Sequence, residues 1–426
     1  MRLTSLAAAA IATALAVPVL TASPASAEAY PCEGFDESTT DVSATPNPSV
    51  PYGLLGVARA TELLAQRGIS PGEGVKVAVV DSGVAAAESG LAPLSVVNQL
   101  SFGVSGPIAF EHGTNVAGLV AAGERSAGGP TGIAPAAGIV DLRVYKEANE
   151  TGVGGIDSDK VVAALDWLIA NAEDQEIGVV VMALSMPETD ELKRAVTGLS
   201  KRDVVIVAGS GNRPTEEGQA NFEDYGVQGP GENAAGKVFP AAYADDVFAV
   251  TATADGQQVE EGAVADAASS VLLSGDIDAA VPTYGAITLA TNGSTCVLYD
   301  VATSWAAGIA GGVVALLRSA YPNDNADQIE ARLVASASGS AVRANTATGH
   351  GVLQPVEALT QELAPSRNGD IDDMPRADVS QPRVTAPVAE VNPLTATLGD
   401  ARWWGLFGGA ALVIALLARP LLRRSG

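Results

Sequence analysis

The stretch "GVKVAVVDSG", residues 74–83, decides the fold. It is a β-branched apolar run with no solvent-facing alternation, stopped by Asp-Ser-Gly, and it reads as a strand buried on both faces. Such a strand needs helices above and below it. The sequence supplies them: "VARATELLAQRG" (57–68) has helical spacing ahead of the strand. Behind it, "GIVDLRVY" (138–145), "SDKVVAALDWLIANAED" (158–174), "IGVVVMALS" (177–185), "ETDELKRAVTGLSKRD" (188–203) and "VVIVAGSGN" (204–212) alternate strand-like and helix-like. Alternation of this kind predicts βαβ units around a mainly parallel sheet with helices on both faces, and functional side chains at the carboxyl ends of the strands.

Bulk properties set the frame. The chain has 426 residues, 47% of them hydrophobic, enough to bury a large core. Its formal net charge of −25 excludes nucleic acid as an expected partner, because phosphate binding needs clustered Lys and Arg. Residues 1–27 read as a secretory signal peptide, with a basic start, an apolar run and a small-residue cleavage site at Ala25-Ser26-Ala27; a non-cleaved anchor is the alternative. Residues 28–51 form a polar N-terminal extension, and 363–401 a Pro- and Asp-bearing tether. At residues 402–422, two Trp precede an apolar run that ends in Arg residues, which predicts a transmembrane helix with a cytoplasmic tail at 423–426. The globular part, 52–362, is then expected on the extracytoplasmic face of the cell membrane. The only cysteines, Cys32 and Cys296, lie in the exported part, where disulfides persist. Joined, they would pin the mature N-terminus beside the segment ahead of Ser304; two free thiols are the alternative.

Histidine narrows the search for chemistry, since only His112 and His350 occur. His112 opens the Gly- and Ala-rich segment "HGTNVAGLVAAG", whereas His350 lies in a turn with no acid or nucleophile suggested nearby. Asp81 ends the first strand. Ser304, in "DVATSWAAGIAGGVVALLRSAYP" (300–322), stands at the start of a small-residue helix whose N–H groups favour a developing negative charge. Taken singly, Asp81 is a turn former, Ser304 a helix cap and Asn212 a turn residue. Taken together, they supply what acyl transfer by serine requires: a nucleophile, a base, an orienting carboxylate and an amide donor for the oxyanion.

The blocks "VAVVDSGV", "HGTNVAG", "GSGN" and "ATSWAAGIAGGVVALLRSAYP" resemble, in order and spacing, the Asp, His, Asn and Ser blocks of the subtilase serine proteases. The resemblance implies a subtilisin-like three-layer α/β fold and peptide-bond hydrolysis without a metal or other cofactor. It also implies roles: Asp81 orients, His112 is general base and acid, Ser304 is the nucleophile, and Asn212 joins the Ser304 backbone N–H in the oxyanion hole. With the signal, the extension, the tether and the terminal span, the layout is similar to the mycosins, membrane-anchored subtilases of actinobacterial type VII secretion systems. The implied partners are a protein or peptide substrate, the membrane and a type VII membrane complex. Departures from the family pattern are Ala302 for a glycine, Gly308 for a proline, Ser185 for a glycine, Val181 for an asparagine and Glu111 for a glycine. Ala302 would narrow the oxyanion site or shift the backbone if its φ were positive. Val181 and Ser185 fall on a segment that aligns with a strand lining the family's cleft, and each departure touches the cleft or its support rather than the triad itself. These departures predict a selective or slow protease; the alternative is a weak or inactive subunit that stabilises a secretion complex.

Overall fold

Residues 76–81 form a strand with both faces buried, as their unbroken apolar run requires. The computed structural model describes residue 32 and residues 48–85, 92–125, 131–147, 156–214, 223–254 and 267–371, with further positions at 258–259, 263–264 and between 406 and 416. The expected signal peptide, most of the expected extension, the expected tether beyond 371 and most of the expected span lie outside these residues. The chain divides into two compact units, Met1–Pro375 and Arg376–Gly426. In the second unit, Leu406, Phe407, Val413, Ile414 and Leu416 are helical and exposed. Among the described residues no helix is long and apolar enough to cross a membrane.

The first unit carries strands β1 (Lys76–Asp81), β2 (Val96–Ser101), β3 (Gly138–Arg143), β4 (Ile177–Met182), β5 (Val205–Gly209), β6 (Phe248–Thr253), β7 (Gln258–Val259), β8 (Ala263–Val264), β9 (Ala279–Pro282), β10 (Ala286–Leu289) and β11 (Thr295–Leu298). Its helices are α1 (Val50–Leu54), α2 (Val57–Gln66), α3 (His112–Ala121), α4 (Ser158–Asn171), α5 (Asp190–Ser200), α6 (Ala267–Ser270), α7 (Thr303–Ala320), α8 (Ala326–Ser336) and α9 (Pro355–Thr360). Seven strands form one sheet in the order β2-β3-β1-β4-β5-β6-β9, every pairing parallel. The pairs β10-β11 and β7-β8 are antiparallel.

Two cores sandwich the sheet. Val77, Val79, Val179, Val181, Val205 and Val207 face α3 and α7, while Ala78, Val80, Val140, Val180 and Ile206 face α4 and α5. This is the three-layer subtilisin-like arrangement. Helix α7 is buried almost throughout, and its small residues allow close approach: Gly308 sits against Leu119 of α3, and Gly311 against the Val181 side chain. Val181 therefore lies inside the core beneath α7 rather than in a cleft wall. Its valine fills the space that Gly311 leaves.

A disulfide joins Cys32 to Cys296 on β11, with Cα atoms 4.8 Å apart. Residues 363–371, assigned by composition to the tether, stay fastened to the body. Arg332, Gln328 and Asn325 on or next to α8 donate to the carbonyls of Leu363, Pro365 and Arg367.

Candidate active site

Four parallel strands deliver the site, each at its carboxyl end, on both sides of the point where the strand order reverses. Asp81 ends β1 and continues the face of Val77 and Val79 that looks toward α3 and α7. It is fully buried, and its carboxylate is fully engaged. Oδ1 accepts from the Ser82 N–H at 2.7 Å and the Tyr145 hydroxyl at 2.7 Å. The His112 Nδ1 lies 2.8 Å from Oδ1 and 3.0 Å from Oδ2. A buried carboxylate is tolerated only when its lone pairs are used in this way.

His112 is the first residue of α3, and two close contacts fix it there. Ser82 Oγ accepts from the Gly113 N–H at 3.0 Å and donates to the Phe110 carbonyl at 3.1 Å, clasping the chain on both sides of the histidine. Gly113 is needed for the approach, since a Cβ there would stand 2.6 Å from the Gly83 carbonyl. The imidazole has Phe110 stacked at 5.8 Å and Trp305 tilted at 5.0 Å between ring centroids. Burial of the ring opposes its charging, but the charge and hydrogen bond of Asp81 outweigh that, with Asp300 and Glu111 adding to them. His112 therefore titrates above the ordinary imidazole range.

Ser304 occupies the first turn of α7 and does not cap it. The cap position is Ala302, at φ −135° and ψ 139°, an extended conformation that any L residue adopts. The Cβ of Ala302 thus imposes no backbone strain. The N-terminal N–H of the helix is satisfied from outside: Asn212 Oδ1 accepts from Thr303 N at 2.8 Å and from Thr303 Oγ1 at 3.1 Å. Thr303 Oγ1 in turn accepts from Gly211 N at 3.3 Å, and Gly209 leaves room for it, a Cβ there standing 2.9 Å from Thr303. Because Oδ1 must face the Thr303 donors, the Nδ2 end of Asn212 is turned away from them. Among the described residues neither Asn212 Nδ2 nor the Ser304 N–H has an acceptor.

The Ser304 hydroxyl donates to the Ala183 carbonyl, just past β4, at 3.3 Å; among the described residues no hydrogen bond joins it to His112. Ser185, half-buried, follows on the same segment. His350 is not part of this arrangement: its Nδ1 lies 2.8 Å from the Ser340 carbonyl in a turn near the end of the unit. Among the described residues no group of three or more His, Cys, Asp or Glu could hold a metal ion.

The residues that sequence reasoning missed are the supports. Tyr145, almost fully buried, bonds the aspartate and lies 3.1 Å from His112 Nδ1. Asp300 accepts from the Trp305 indole at 2.8 Å and so fixes the ring that faces His112. The signal for Tyr145 was the parallel register of β1 and β3, which pairs Asp81 with Arg143 and brings the residue two positions on to the same strand end.

Residues 72–354 match the peptidase S8 model described as the subtilase family. The chain is 28% identical over 376 residues to Mycosin-3 of Mycobacterium tuberculosis (strain ATCC 25618 / H37Rv), covering 82% of this chain and 81% of that one. It is 31% identical over 294 residues to Subtilisin DY of Bacillus licheniformis, covering 68% and 92%. Among solved structures, MycP1 from Mycobacterium smegmatis superposes with a TM-score of 0.57 at 20% identity, over 83% of this chain and 92% of that one. A chain of an intact ESX-5 inner membrane complex superposes at 0.54 and 23% identity, over 88% and 93%. At these identities the structural likeness speaks for the fold.

Proposed function

Because the chain belongs to the subtilase family and is a serine endopeptidase, we propose that Asp81, His112 and Ser304 form its catalytic triad, with Asn212 Nδ2 and the Ser304 N–H as oxyanion donors. The observation that carries this reading is the pairing of a buried, triply bonded Asp81 with His112, opposite a serine on a helix whose first N–H is capped by Asn212. When a peptide enters, the Ser304 hydroxyl exchanges the Ala183 carbonyl for His112 Nε2, a contact that tightens on substrate binding. His112 takes the hydroxyl proton as Oγ attacks the scissile carbonyl, and Asp81 stabilises the imidazolium and holds its tautomer. The negative charge that develops on the carbonyl oxygen is met by Asn212 Nδ2 and the Ser304 N–H at the positive end of α7. His112 then returns the proton to the leaving amine. Water repeats the cycle to release the acyl group.

The further reading is that the enzyme is exported, is held at the membrane by residues 402–422 and serves a type VII secretion complex. It is supported by the signal-like and span-like segments and by the similarity to Mycosin-3 along most of both chains. The Ser304–Ala183 bond favours one rival reading, a subtilase domain retained mainly to stabilise the complex. A fluorophosphonate probe separates the two. Labelling of Ser304 that disappears in Ser304→Ala supports the peptidase. Folded protein that takes no label overturns it, and secretion that survives Ser304→Ala but not deletion supports the structural role.

A further inference from the structure

Beside His112 lies a cavity of about 280 Å³ that the triad chemistry does not use. Phe110, Glu111, His112, Tyr299, Asp300 and Trp305 line it, together with the Cys32 end of the disulfide. Its position relative to the reaction follows from the proton's route. The oxyanion donors stand at the Asn212 side of Ser304, whereas His112 must reach the leaving nitrogen, so the segment that departs with that nitrogen runs along the His112 side. The cavity opens there. Trp305, the residue after the nucleophile, forms part of its wall, which limits the distance from the scissile bond to one or two residues.

Its chemistry is of two kinds. Phe110 and Trp305 offer aromatic walls, and Tyr299, half-exposed, stands with Tyr284 at 5.9 Å between rings. Glu111 and Asp300 contribute carboxylates, and the charges of both favour protonated His112. No Lys or Arg is among the lining residues. Asp300 is additionally held by the Trp305 indole, so that its charge is fixed against the aromatic wall. An aromatic slot with acids at its rim suits a long side chain that is apolar along its stem and cationic at its tip, since ring faces attract cations and the alkyl stem covers the rings.

We propose that this cavity is a specificity pocket for a Lys or Arg side chain at the first or second position after the scissile bond, with Glu111 and Asp300 as its selective charges. The assignment rests on the peptidase reading above. Glu111 stands where the family pattern has a glycine with no charge to offer, so the preference belongs to this chain. It also accounts for the departure as a gain of selectivity.

The test uses the full chain in detergent and a mixture of decapeptides randomised at their central positions, with the new N-termini of the products sequenced. Reactions run well above the acid limb of the pH profile, so that a changed His112 pKa does not enter. Lys and Arg are expected to be enriched about fivefold or more over Ala at the first or second product position, less so at high salt. Glu111→Gln is expected to reduce that enrichment at least threefold. Glu111→Lys is expected to invert it toward Asp and Glu, which a merely structural lesion would not do. Asp300→Asn provides the second variant should Glu111→Lys misfold. Wild-type enrichment absent, or unchanged in Glu111→Gln and Asp300→Asn, overturns the pocket while fluorophosphonate labelling of Ser304 leaves the peptidase standing. Failure of labelling in folded wild type is the separate result that overturns the peptidase.

Discussion

The two halves of the site are built to different tolerances. On the Asp81–His112 side both carboxylate oxygens are hydrogen-bonded, the ring has aromatic neighbours, and Gly113 and Ser82 hold the histidine from its own backbone. On the Ser304–Asn212 side the hydroxyl rests on the Ala183 carbonyl at 3.3 Å, and among the described residues two N–H donors have no acceptor. The difference follows from what each half must do. A buried charge pair has to be complete before substrate arrives, because an unsatisfied carboxylate in the core is costly. The donors of an oxyanion hole must be left open for the oxygen they are to receive.

The contrast can be broken by substitution, starting where most is at stake. Ser304→Ala and His112→Ala are each expected to lower kcat by about 10⁴-fold or more, with folding retained, as active-site titration and circular dichroism would show. Asn212→Ala should lower kcat by about 10²–10³ while KM stays nearly level, since the lost donor acts on charge that exists only in the transition state. A loss confined to KM would place Asn212 outside the oxyanion hole. Because its Oδ1 also caps Thr303, the same variant should lose about 1 kcal/mol of stability in denaturant melts.

Tyr145→Phe tests whether the finished half is more than scaffolding. Loss of one hydrogen bond to a charged group is worth about 1.5 kcal/mol or more, which denaturant melts should read as lost stability. The Asp81 charge, no longer shared with the phenol, would act more strongly on His112 and move the acid limb of the pH–rate profile to higher pH. An unshifted profile would reduce Tyr145 to a packing residue. Asp300→Asn should move the same limb the other way. Removing a carboxylate that favours the imidazolium lowers the His112 pKa, so the neutral base persists to lower pH.

The smallest effect belongs to a control remote from both halves. Glu330 on α8 is pushed up to about 8 by burial and by the nearby Asp278 and Asp327, against Arg318. Its folded-state pKa exceeds the unfolded value near 4.3, so the folded protein binds the proton more tightly. The stability this confers is present below the unfolded pKa and is lost as pH rises from there to about 8. Glu330→Gln should recover on the order of 1 kcal/mol at alkaline pH and leave kcat unchanged at every pH. A change in kcat would mean that α8 communicates with the site.

How much of this could be read beforehand depended on how far each property reaches along the chain. Strand β1, its terminal Asp81 and the small-residue helix α7 were legible because hydrophobic pattern and local stop signals are properties of a few consecutive residues. The Cys32–Cys296 pair was legible as one of two open alternatives. Tyr145 was not, because its hydroxyl becomes a partner of Asp81 only through the register of β1 on β3. Whether Val181 touches the cleft or its support was open, because the strand's burial is double-sided, and only the pairing with Gly311 tells which layer it enters. Ala302 drew concern for a glycine conformation that the position does not have. A helix cap is extended by nature, and the residue ahead of Thr303 is a cap.

Helix α7 has a consequence in time. It is the spine between the sheet and α3, and it carries Ser304, yet it stands at residues 303–320, after all strands of the central sheet. A chain still being synthesised has Asp81, His112 and Asn212 in hand before the helix that is to lie between the sheet and α3. The same helix brings Ser304, so packing and hydroxyl arrive together. A chain that stops short of residue 303 thus lacks both the packing of α7 and the hydroxyl of Ser304.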